Sequence, residues 1–292
     1  MKVLIVGSSG FIGSNLVYTL EKNGMEVYAL SRKNANSENF NFKKGKIYNI
    51  SLGSYEKLES IFIETKFDFV VNAATHYAPK ENNDFVEKAF MANILLSNYL
   101  IYYCLFHKVP LISLGTYLQE IDHSKIHPTF YSFSKKNTQS ILKSVAKFSD
   151  LRYIELLISD TYGPKDPREK ILSLIIQSLN GKELKTSSGN QIVNLVHIDD
   201  VCNAIQGILI GLNSKKIKYN QTFSIRSRAW ITLRELSKAC EEISGLRANI
   251  NWGQKAYRGT EIFQVPKMSK IVPFWKPSIS LLQGLQGLLM KK

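Results

Sequence analysis

A glycine-rich turn directly after a short apolar strand constrains the fold of this chain more than any other feature. The predicted strand Val3–Val6 runs into the segment GSSGFIG at positions 7–13, where a helical pattern begins. Glycines so spaced allow a tight turn, close backbone approach to a pyrophosphate and close helix packing, while the helix N-terminus offers unpaired N–H groups. The turn therefore predicts a dinucleotide site, against the alternative of incidental glycines. The predicted cofactor contacts are Gly7, Ser9, Gly10, Phe11, Ile12 and Gly13.

Short β-rich runs alternate with helical stretches up to about residue 165, which is typical of a parallel sheet. The predicted strands are Val3–Val6, Glu26–Leu30, Lys46–Ile50, Phe69–Asn72, Leu111–Ser113 and Tyr153–Ile158. The predicted helices are Ile12–Asn23, Tyr55–Thr65, Asp84–His107, Tyr131–Phe148, Lys170–Leu179, Ile198–Leu212 and Leu233–Ser244. We therefore expect an α/β fold with a Rossmann-type doubly wound parallel sheet in residues 1–165 and a smaller C-terminal α/β substrate lobe in residues 166–292, with some chain crossing between them.

The composition favours a globular protein that binds small anions. Of the 292 residues, 44% are hydrophobic and 21% charged, and the formal net charge is +14. Because the lysines lie in scattered short clusters, they indicate a solvated basic surface and phosphorylated ligands, with no nucleic-acid partner. The three cysteines have no CxxC spacing, which favours a reducing compartment and no metal. We find no apolar run of about 18 residues and expect a cytoplasmic protein without a membrane segment.

The end of the second predicted strand bears on the choice of cofactor. An acidic residue there would bind the ribose 2′-hydroxyl of NAD, but the sequence continues from Leu30 into Ser31, Arg32 and Lys33. A hydroxyl and two cations suit a 2′-phosphate, so these residues predict NADP (NADPH) as the cofactor. The alternative is that both cations are exposed loop charges.

Tyr131 and Lys135 form a YxxxK pair on a predicted helix. Positions i and i+4 face the same side of a helix, so the phenol and the ammonium can converge on one site, beside the cofactor. We expect the lysine cation, and an oxidised nicotinamide, to lower the pKa of the phenol from its usual value of about 10. Tyr131 would then exchange a proton with a substrate oxygen while hydride passes to or from carbon.

Together these motifs resemble the NAD-dependent epimerase/dehydratase family of extended short-chain dehydrogenases over nearly the whole chain. Further matching stretches are Val70–Thr75, Asn93, Asp160–Pro164, Asn194–Val201 and Trp275–Pro277. The resemblance implies that Ala73, Ala74, Thr75 and Asn93 line the cofactor and that Asn49 and Ile50 flank its adenine. It also implies a nucleotide-sugar substrate under the C-terminal lobe.

In that class a Ser or Thr at the end of the fifth strand completes the catalytic set. Here Leu114 falls where this hydroxyl would normally lie. Either Thr116 or Ser113 takes the role through a shifted loop, or the role is vacant; we prefer Thr116. The dehydratases carry an Asp-Glu pair at the position of Gly115-Thr116, so the chain lacks the acid and base for elimination of water.

Two segments, Tyr131–Lys136 and Trp252–Glu261, resemble the CDP-abequose and CDP-paratose synthase group of 4-ketoreductases. This resemblance implies NADPH-dependent reduction of the C4 keto group of a nucleotide-linked deoxy sugar, for bacterial surface polysaccharide such as O-antigen. Many members carry an arginine near Val193, so Arg258 or Lys185 would contact the diphosphate instead; Arg258 could equally pair with Glu261. The predicted substrate contacts are His76, Tyr77, Asp160, Val193 and Arg258.

Two other functions stay open at this point. One is a nucleotide-sugar 4-epimerase, which would keep NAD bound throughout its cycle. The other is a non-catalytic NADP-binding or regulatory protein, which the leucine at position 114 would suit.

The segment 84–107 is apolar on nearly all sides, which indicates burial on more than one face. It is either a core helix or part of a subunit interface. We favour an interface and expect a homodimer through the helices at 84–107 and 131–148.

Overall fold

The structure, a computed structural model, describes residues 1–32, 45–51, 53–78, 81–121 and 128–290. Its strands are β1 (Lys2–Val6), β2 (Glu26–Arg32), β3 (Gly45–Ile50), β4 (Phe69–Asn72), β5 (Leu111–Thr116), β6 (Tyr153–Ile158), β7 (Asp160–Tyr162), β8 (Leu184–Lys185), β9 (Ile192–Val193), β10 (Leu195–His197), β11 (Gln221–Ile225), β12 (Ile231–Thr232) and β13 (Ile250–Asn251). Its α-helices are α1 (Phe11–Lys22), α2 (Lys57–Glu64), α3 (Asn83–Ala89), α4 (Leu96–Phe106), α5 (Phe130–Phe148), α6 (Ile171–Leu179), α7 (Ile198–Asn213), α8 (Leu233–Ser244) and α9 (Leu281–Leu289).

The predicted parallel sheet is confirmed. Seven of the described strands pair side by side in the order β11-β6-β5-β4-β1-β2-β3, and every pairing in this sheet is parallel. The sequences of strands β1, β4 and β6 are largely apolar because helices cover both faces of the sheet. The carboxyl ends of β1, β4 and β5 therefore lie at one edge, where ligands bind in open α/β sheets.

Two apolar layers hold the helices against the sheet. On one face, Leu16 of α1 and Ile205 of α7 pack in one buried cluster with sheet residues such as Ile5. On the other face, Leu100 of α4 and Leu142 of α5 pack in a second cluster. This arrangement is the doubly wound α/β fold that the sequence predicts.

The C-terminal part adds a smaller lobe around a third apolar cluster. Ile175 of α6, Leu236 of α8 and Leu285 of α9 pack there against Tyr162. The chain after residue 166 also returns to the main sheet, because β11 pairs with β6 and α7 covers the first layer. The division into two parts at residue 165, with chain crossing between them, stays a prediction.

The predicted helix at 84–107 is interrupted in the structure. A π-helical turn, Phe90–Leu95, joins α3 to α4 and contains Asn93. The helical segment Asn83–Phe106 contains an 18-residue window with a mean hydropathy of 1.4, and it is, among the described residues, the one helix long and apolar enough by length and composition to cross a membrane. Our expectation that no segment meets this criterion is therefore wrong. Buried core helices meet it too, and α4 packs on the sheet layer through Leu100 and Cys104.

Candidate active site

The glycine turn fits the pyrophosphate of a dinucleotide. Gly7 has a φ of 81°, and a Cβ there would lie 2.6 Å from the Cα of Ala74. A Cβ on Gly13 would overlap the carbonyl oxygen of Gly7. Among the described residues no side chain caps the start of α1, and the buried hydroxyl of Ser8 has no hydrogen-bond partner there. Open N–H groups on a glycine cradle are suited to bind phosphate oxygens.

The carboxyl end of β2 carries a cation, Arg32, and a buried hydroxyl, Ser31. The hydroxyl of Ser31 is buried and donates to Oδ1 of Asn49 at 2.8 Å, so it is engaged within the protein. Arg32 is exposed, and its charge acts on the phenol of Tyr55 and the imidazole of His76. Ile50 is buried beside Arg32 in the strand register. Lys33, the third predicted contact, lies outside the described residues.

Asn93 connects the segment after β4 to α5. Its fully buried side chain accepts from the backbone N–H of His76 at 2.7 Å and from the hydroxyl of Thr75 at 3.2 Å. Its amide group donates to the carbonyl of His76 at 3.1 Å and to the hydroxyl of Ser134 at 3.0 Å. The π-helical turn thus places one amide between two parts of the site, and such turns are frequent at functional sites.

Lys135 lies under the carboxyl ends of β4 and β5. Its ammonium is buried and donates to the carbonyl oxygens of Ala74, at 3.2 Å, and Leu114, at 3.1 Å. Burial lowers the pKa of this ammonium to about 8, and the nearby carboxylate of Glu155 opposes the shift. The lysine therefore holds α5 against the sheet edge one turn after Tyr131.

Tyr131 lies in the first turn of α5, and its ring packs edge-on against that of Tyr77 with the centroids 5.2 Å apart. Burial raises the pKa of its phenol to about 12, while a hydrogen bond with the Thr75 hydroxyl acts in the lowering direction. This direction is opposite to our expectation. The physical reason is that desolvation outweighs the charges around the phenol, and the Lys135 ammonium is directed to backbone carbonyls.

Of the two hydroxyls predicted from β5, that of Thr116 has another partner and that of Ser113 is buried. Thr116 accepts from the N–H of Leu118 at 3.3 Å and caps the 3₁₀ turn Tyr117–Glu120. Ser113 is buried in the strand. Leu114 packs in the apolar cluster of the first face. The choice between Thr116 and Ser113 as the third catalytic residue stays a prediction.

A second polar group faces the site from β7. The carboxylate of Asp160 accepts from the ammonium of Lys170 at 3.1 Å and from the phenol of Tyr117 at 3.3 Å. The Lys170 ammonium also lies 5.8 Å from the centroid of the Tyr77 ring. This places Asp160 and Tyr77, both predicted substrate contacts, around one cation.

The other predicted substrate residues are more dispersed. The Arg258 side chain is 70% exposed, and its Nε lies 3.4 Å from Oε1 of Glu261. Its positive charge acts to lower the pKa of the Tyr77 phenol. Val193 pairs with Ile231 and packs against the C-terminal cluster. The His76 ring lies 5.5 Å from the Phe85 ring, tilted by 35°, and burial lowers the pKa of the imidazole. Exposed Lys185 lies 3.7 Å from Glu183.

Sequence reasoning missed two carboxylates that support α5. Glu81 accepts the backbone N–H groups of Phe130 and Tyr131 at 3.0 and 3.1 Å, and so binds the helix start. Glu155 is buried and accepts from Gln119, Gln139 and Thr222. The signal for Glu155 is an acid inside an apolar strand, whereas Glu81 gives no local signal.

This phosphate turn and this Tyr–Lys pair, on a doubly wound parallel sheet, define the class of extended short-chain dehydrogenases. The model of the NAD dependent epimerase/dehydratase family matches residues 3–220, and the chain belongs to this family.

Relatives of known name match nearly the whole chain. CDP-abequose synthase of Salmonella typhimurium is 25% identical over 304 residues, covering 99% of this chain and 97% of the relative. CDP-abequose synthase of Yersinia pseudotuberculosis is 29% identical over 276 residues, covering 90% of each.

Solved structures share the fold. UDP-glucose 4-epimerase of Thermotoga maritima with UDP-glucose matches with a TM-score of 0.80 and 23% identity over 99% of this chain and 98% of that one. The complex of Thermus thermophilus UDP-glucose 4-epimerase with NAD matches with a TM-score of 0.79 and 20% identity over 99% and 98%.

Proposed function

We propose that this protein reduces the C4 keto group of a nucleoside-diphosphate-linked deoxy sugar with NADPH. The observation that carries the proposal is the Tyr131 phenol, one helical turn from the buried Lys135 ammonium, at the sheet edge that holds the glycine turn. Likeness to two CDP-abequose synthases over 90% or more of the chain supports this reading and makes CDP the first nucleotide to test.

Bound NADPH supplies a hydride to the C4 carbon. Because burial raises the pKa of Tyr131 to about 12, the phenol is protonated at neutral pH and can donate its proton to the C4 oxygen. Lys135 keeps α5 docked on the carbonyls of Ala74 and Leu114, and when the cofactor is bound this lysine would orient the nicotinamide ribose. At the end of β5, Gly115 and Thr116 offer no carboxylate, so elimination of water is disfavoured.

The test follows NADPH absorbance with 4-keto-6-deoxyhexoses carried on CDP, GDP, UDP and dTDP. We expect consumption with one of the four, and we expect Tyr131→Phe to lower kcat by about 10²- to 10⁴-fold. Binding of NADPH, followed by thermal shift, should be retained in that variant. The matched control is Tyr219→Phe, a partly exposed tyrosine before β11 whose ring packs against Arg152. No consumption with any substrate, or an unchanged Tyr131→Phe rate, contradicts the proposal.

The use of NADPH rather than NADH rests on Arg32, the exposed cation at the end of β2. A charge-assisted hydrogen bond is worth about 1.5–3 kcal/mol, or about 10- to 100-fold in affinity. We expect Arg32→Gln to raise the KM for NADPH by that factor and to leave the KM for NADH nearly constant. Equal use of both cofactors by the unmodified protein argues against this assignment.

A nucleotide-sugar 4-epimerase is the second candidate, favoured by the fold likeness to two UDP-glucose 4-epimerases. Purified protein that carries bound NAD, and that interconverts C4 epimers with no added cofactor, would favour it over the reductase.

We also propose a homodimer through α4 and α5. Both helices expose large apolar side chains, and exposed apolar surface of this kind often marks an interaction site. These are Tyr102, Phe106, Phe133 and Phe148. We expect a dimer in analytical ultracentrifugation that Phe106→Glu converts to a monomer, while Phe274→Glu, on the exposed C-terminal segment, does not. A monomeric unmodified protein contradicts the proposal.

Finally, we infer a cytoplasmic role in making sugars for bacterial surface polysaccharide, without nucleic-acid binding. Three buried free thiols, Cys104, Cys202 and Cys240, support a reducing compartment. A gel-shift series with RNA tests the second point, because binding to nucleic acid falls steeply with salt. If the protein shifts the RNA band at low salt and loses this effect at higher salt, a nucleic-acid partner is favoured.

A further inference from the structure

We infer that the hydroxyl of Thr75 is the third catalytic group of this site, taking the place of a hydroxyl from β5. The inference rests on the proposed reduction and deepens it, because it names the group that stabilises the Tyr131 phenolate after proton donation. Thr75 was expected only to line the cofactor.

The chain on both sides of Thr75 contacts the catalytic pair. The carbonyl of Ala74 accepts from the Lys135 ammonium at 3.2 Å. Two residues after Thr75, the ring of Tyr77 packs against the Tyr131 ring at 5.2 Å. Thr75 itself is exposed at the sheet edge. The Thr75 hydroxyl lies within hydrogen-bonding reach of the Tyr131 phenol, because a hydrogen bond between these two side chains acts on the pKa of the phenol.

Strand β5 is poorly placed to supply the same group. Leu114 is at the position where a hydroxyl would normally lie, and its side chain is part of the buried apolar cluster. The Thr116 hydroxyl accepts the N–H of Leu118 and closes the 3₁₀ turn that follows. A hydroxyl bound into a cap can move only by breaking that cap.

The hydrogen-bond partner of Thr75 allows its hydroxyl to switch direction. Thr75 donates to Oδ1 of Asn93 at 3.2 Å, and the same oxygen accepts the N–H of His76 at the shorter distance of 2.7 Å. The Asn93 oxygen thus stays satisfied when Thr75 turns away. Rotation about the Cβ–Oγ bond then aims the hydrogen at the phenolate.

The proton balance is simple. In the reduction, the O–H bond of Tyr131 breaks and the proton forms the new O–H bond on the C4 oxygen. Thr75 keeps its own proton throughout and changes only the acceptor, from Asn93 to the phenolate. Tyr131 regains its proton from water after product leaves.

A titration without cofactor or substrate tests the inference. Tyr131 is replaced by 3,5-difluorotyrosine, whose electron-withdrawing fluorines bring the phenol pKa into a range where the fold is stable, and ¹⁹F NMR follows its ionisation. A hydrogen bond to a charged group corresponds to about 1 to 2 pH units. We expect Thr75→Val to raise the fluorophenol pKa by that amount, and Thr75→Ser to remove most of the shift.

The rival substitution is Thr116→Val, which should leave the fluorophenol pKa in place. No shift in Thr75→Val, or an equal upward shift in Thr116→Val, would overturn the inference. In the activity arm, Thr75→Val should lower kcat about 10- to 100-fold, with Thr75→Ser recovering most of it and the NADPH thermal shift retained. If the unmodified protein reduces no 4-keto nucleotide sugar, the proposed function fails, and the titration alone decides the role of Thr75.

Discussion

The phosphate turn at positions 7–13 uses the backbone of one continuous segment, whereas the corner around Tyr131 uses side chains from distant segments. In the turn, Gly7 and Gly13 leave no room for a Cβ. In the corner, Asn93 and Glu81 support a tyrosine that lies 38 and 50 positions further along the chain. We therefore expect one substitution in the turn to remove most of the NADPH affinity. In the corner, each single substitution should remove only part of the activity or stability.

The largest effect is expected from Gly13→Ala. The added methyl would overlap the Gly7 carbonyl, so the turn must open and NADPH affinity should fall at least about 100-fold, or about 2.7 kcal/mol. Tryptophan or NADPH fluorescence titration measures it. The control is Gly207→Ala in α7, where a Cβ meets no atom within 4 Å; it should stabilise the fold by about 0.5–1 kcal/mol. If the NADPH affinity of Gly13→Ala is within twofold of that of the unmodified protein, the expectation that one substitution disables the turn is contradicted.

A smaller loss of stability is expected from Asn93→Ala in the corner. Removing the amide leaves the backbone N–H of His76 without its acceptor and takes one hydrogen bond from the buried Ser134 hydroxyl, which should lower the free energy of unfolding by about 2–4 kcal/mol. Urea denaturation measures this change. Asn98→Ala is the matched control, because that amide donates only to Ile94 within its own helix, and it should cost less than about 1 kcal/mol. Equal losses of unfolding free energy in the two variants would show that the hydrogen bonds of Asn93 to His76, Thr75 and Ser134 contribute no more than a bond within one helix.

The third prediction concerns pH. The pKa of Lys135 falls from 10.5 to about 8 on folding, so the unfolded chain binds more protons between these values, and stability rises with pH across them. Below pH 8 the buried charge costs up to about 3 kcal/mol, at 1.36 kcal/mol per pH unit. The stability of Lys135→Met lacks this dependence, so the free energy of unfolding of the unmodified protein should rise relative to that of the variant by up to about 3 kcal/mol between pH 8 and 10.5. A difference that is constant over this range in thermal unfolding would exclude the shift.

Much of the fold could be predicted because its signals are local. Alternating apolar runs and helices predict β1 to β6, and the glycine spacing predicts the turn, since each depends on neighbouring residues. The strand β11 joins the sheet from beyond residue 220, and nothing in its own residues specifies that partner.

In the site, too, the features that could be predicted are those that depend on neighbouring residues. The i, i+4 spacing of Tyr131 and Lys135 places them on one helix face. The carboxylate of Glu81 binds the start of α5 from 49 residues away, which only tertiary packing can arrange. The direction of the Tyr131 pKa was mispredicted because desolvation depends on burial, which the YxxxK spacing does not report.

The most direct measurement follows deuterium from NADPH labelled on its transferable C4 hydrogen. Incubation with the 4-keto-6-deoxy sugar nucleotide that the protein consumes should give a product with deuterium bonded to sugar C4, seen by NMR, in an amount equal to the NADP⁺ formed. The Tyr131→Phe variant should form this product at a rate about 10²- to 10⁴-fold lower. Sugar that changes its C4 configuration without gaining deuterium from added NADPH would contradict the account.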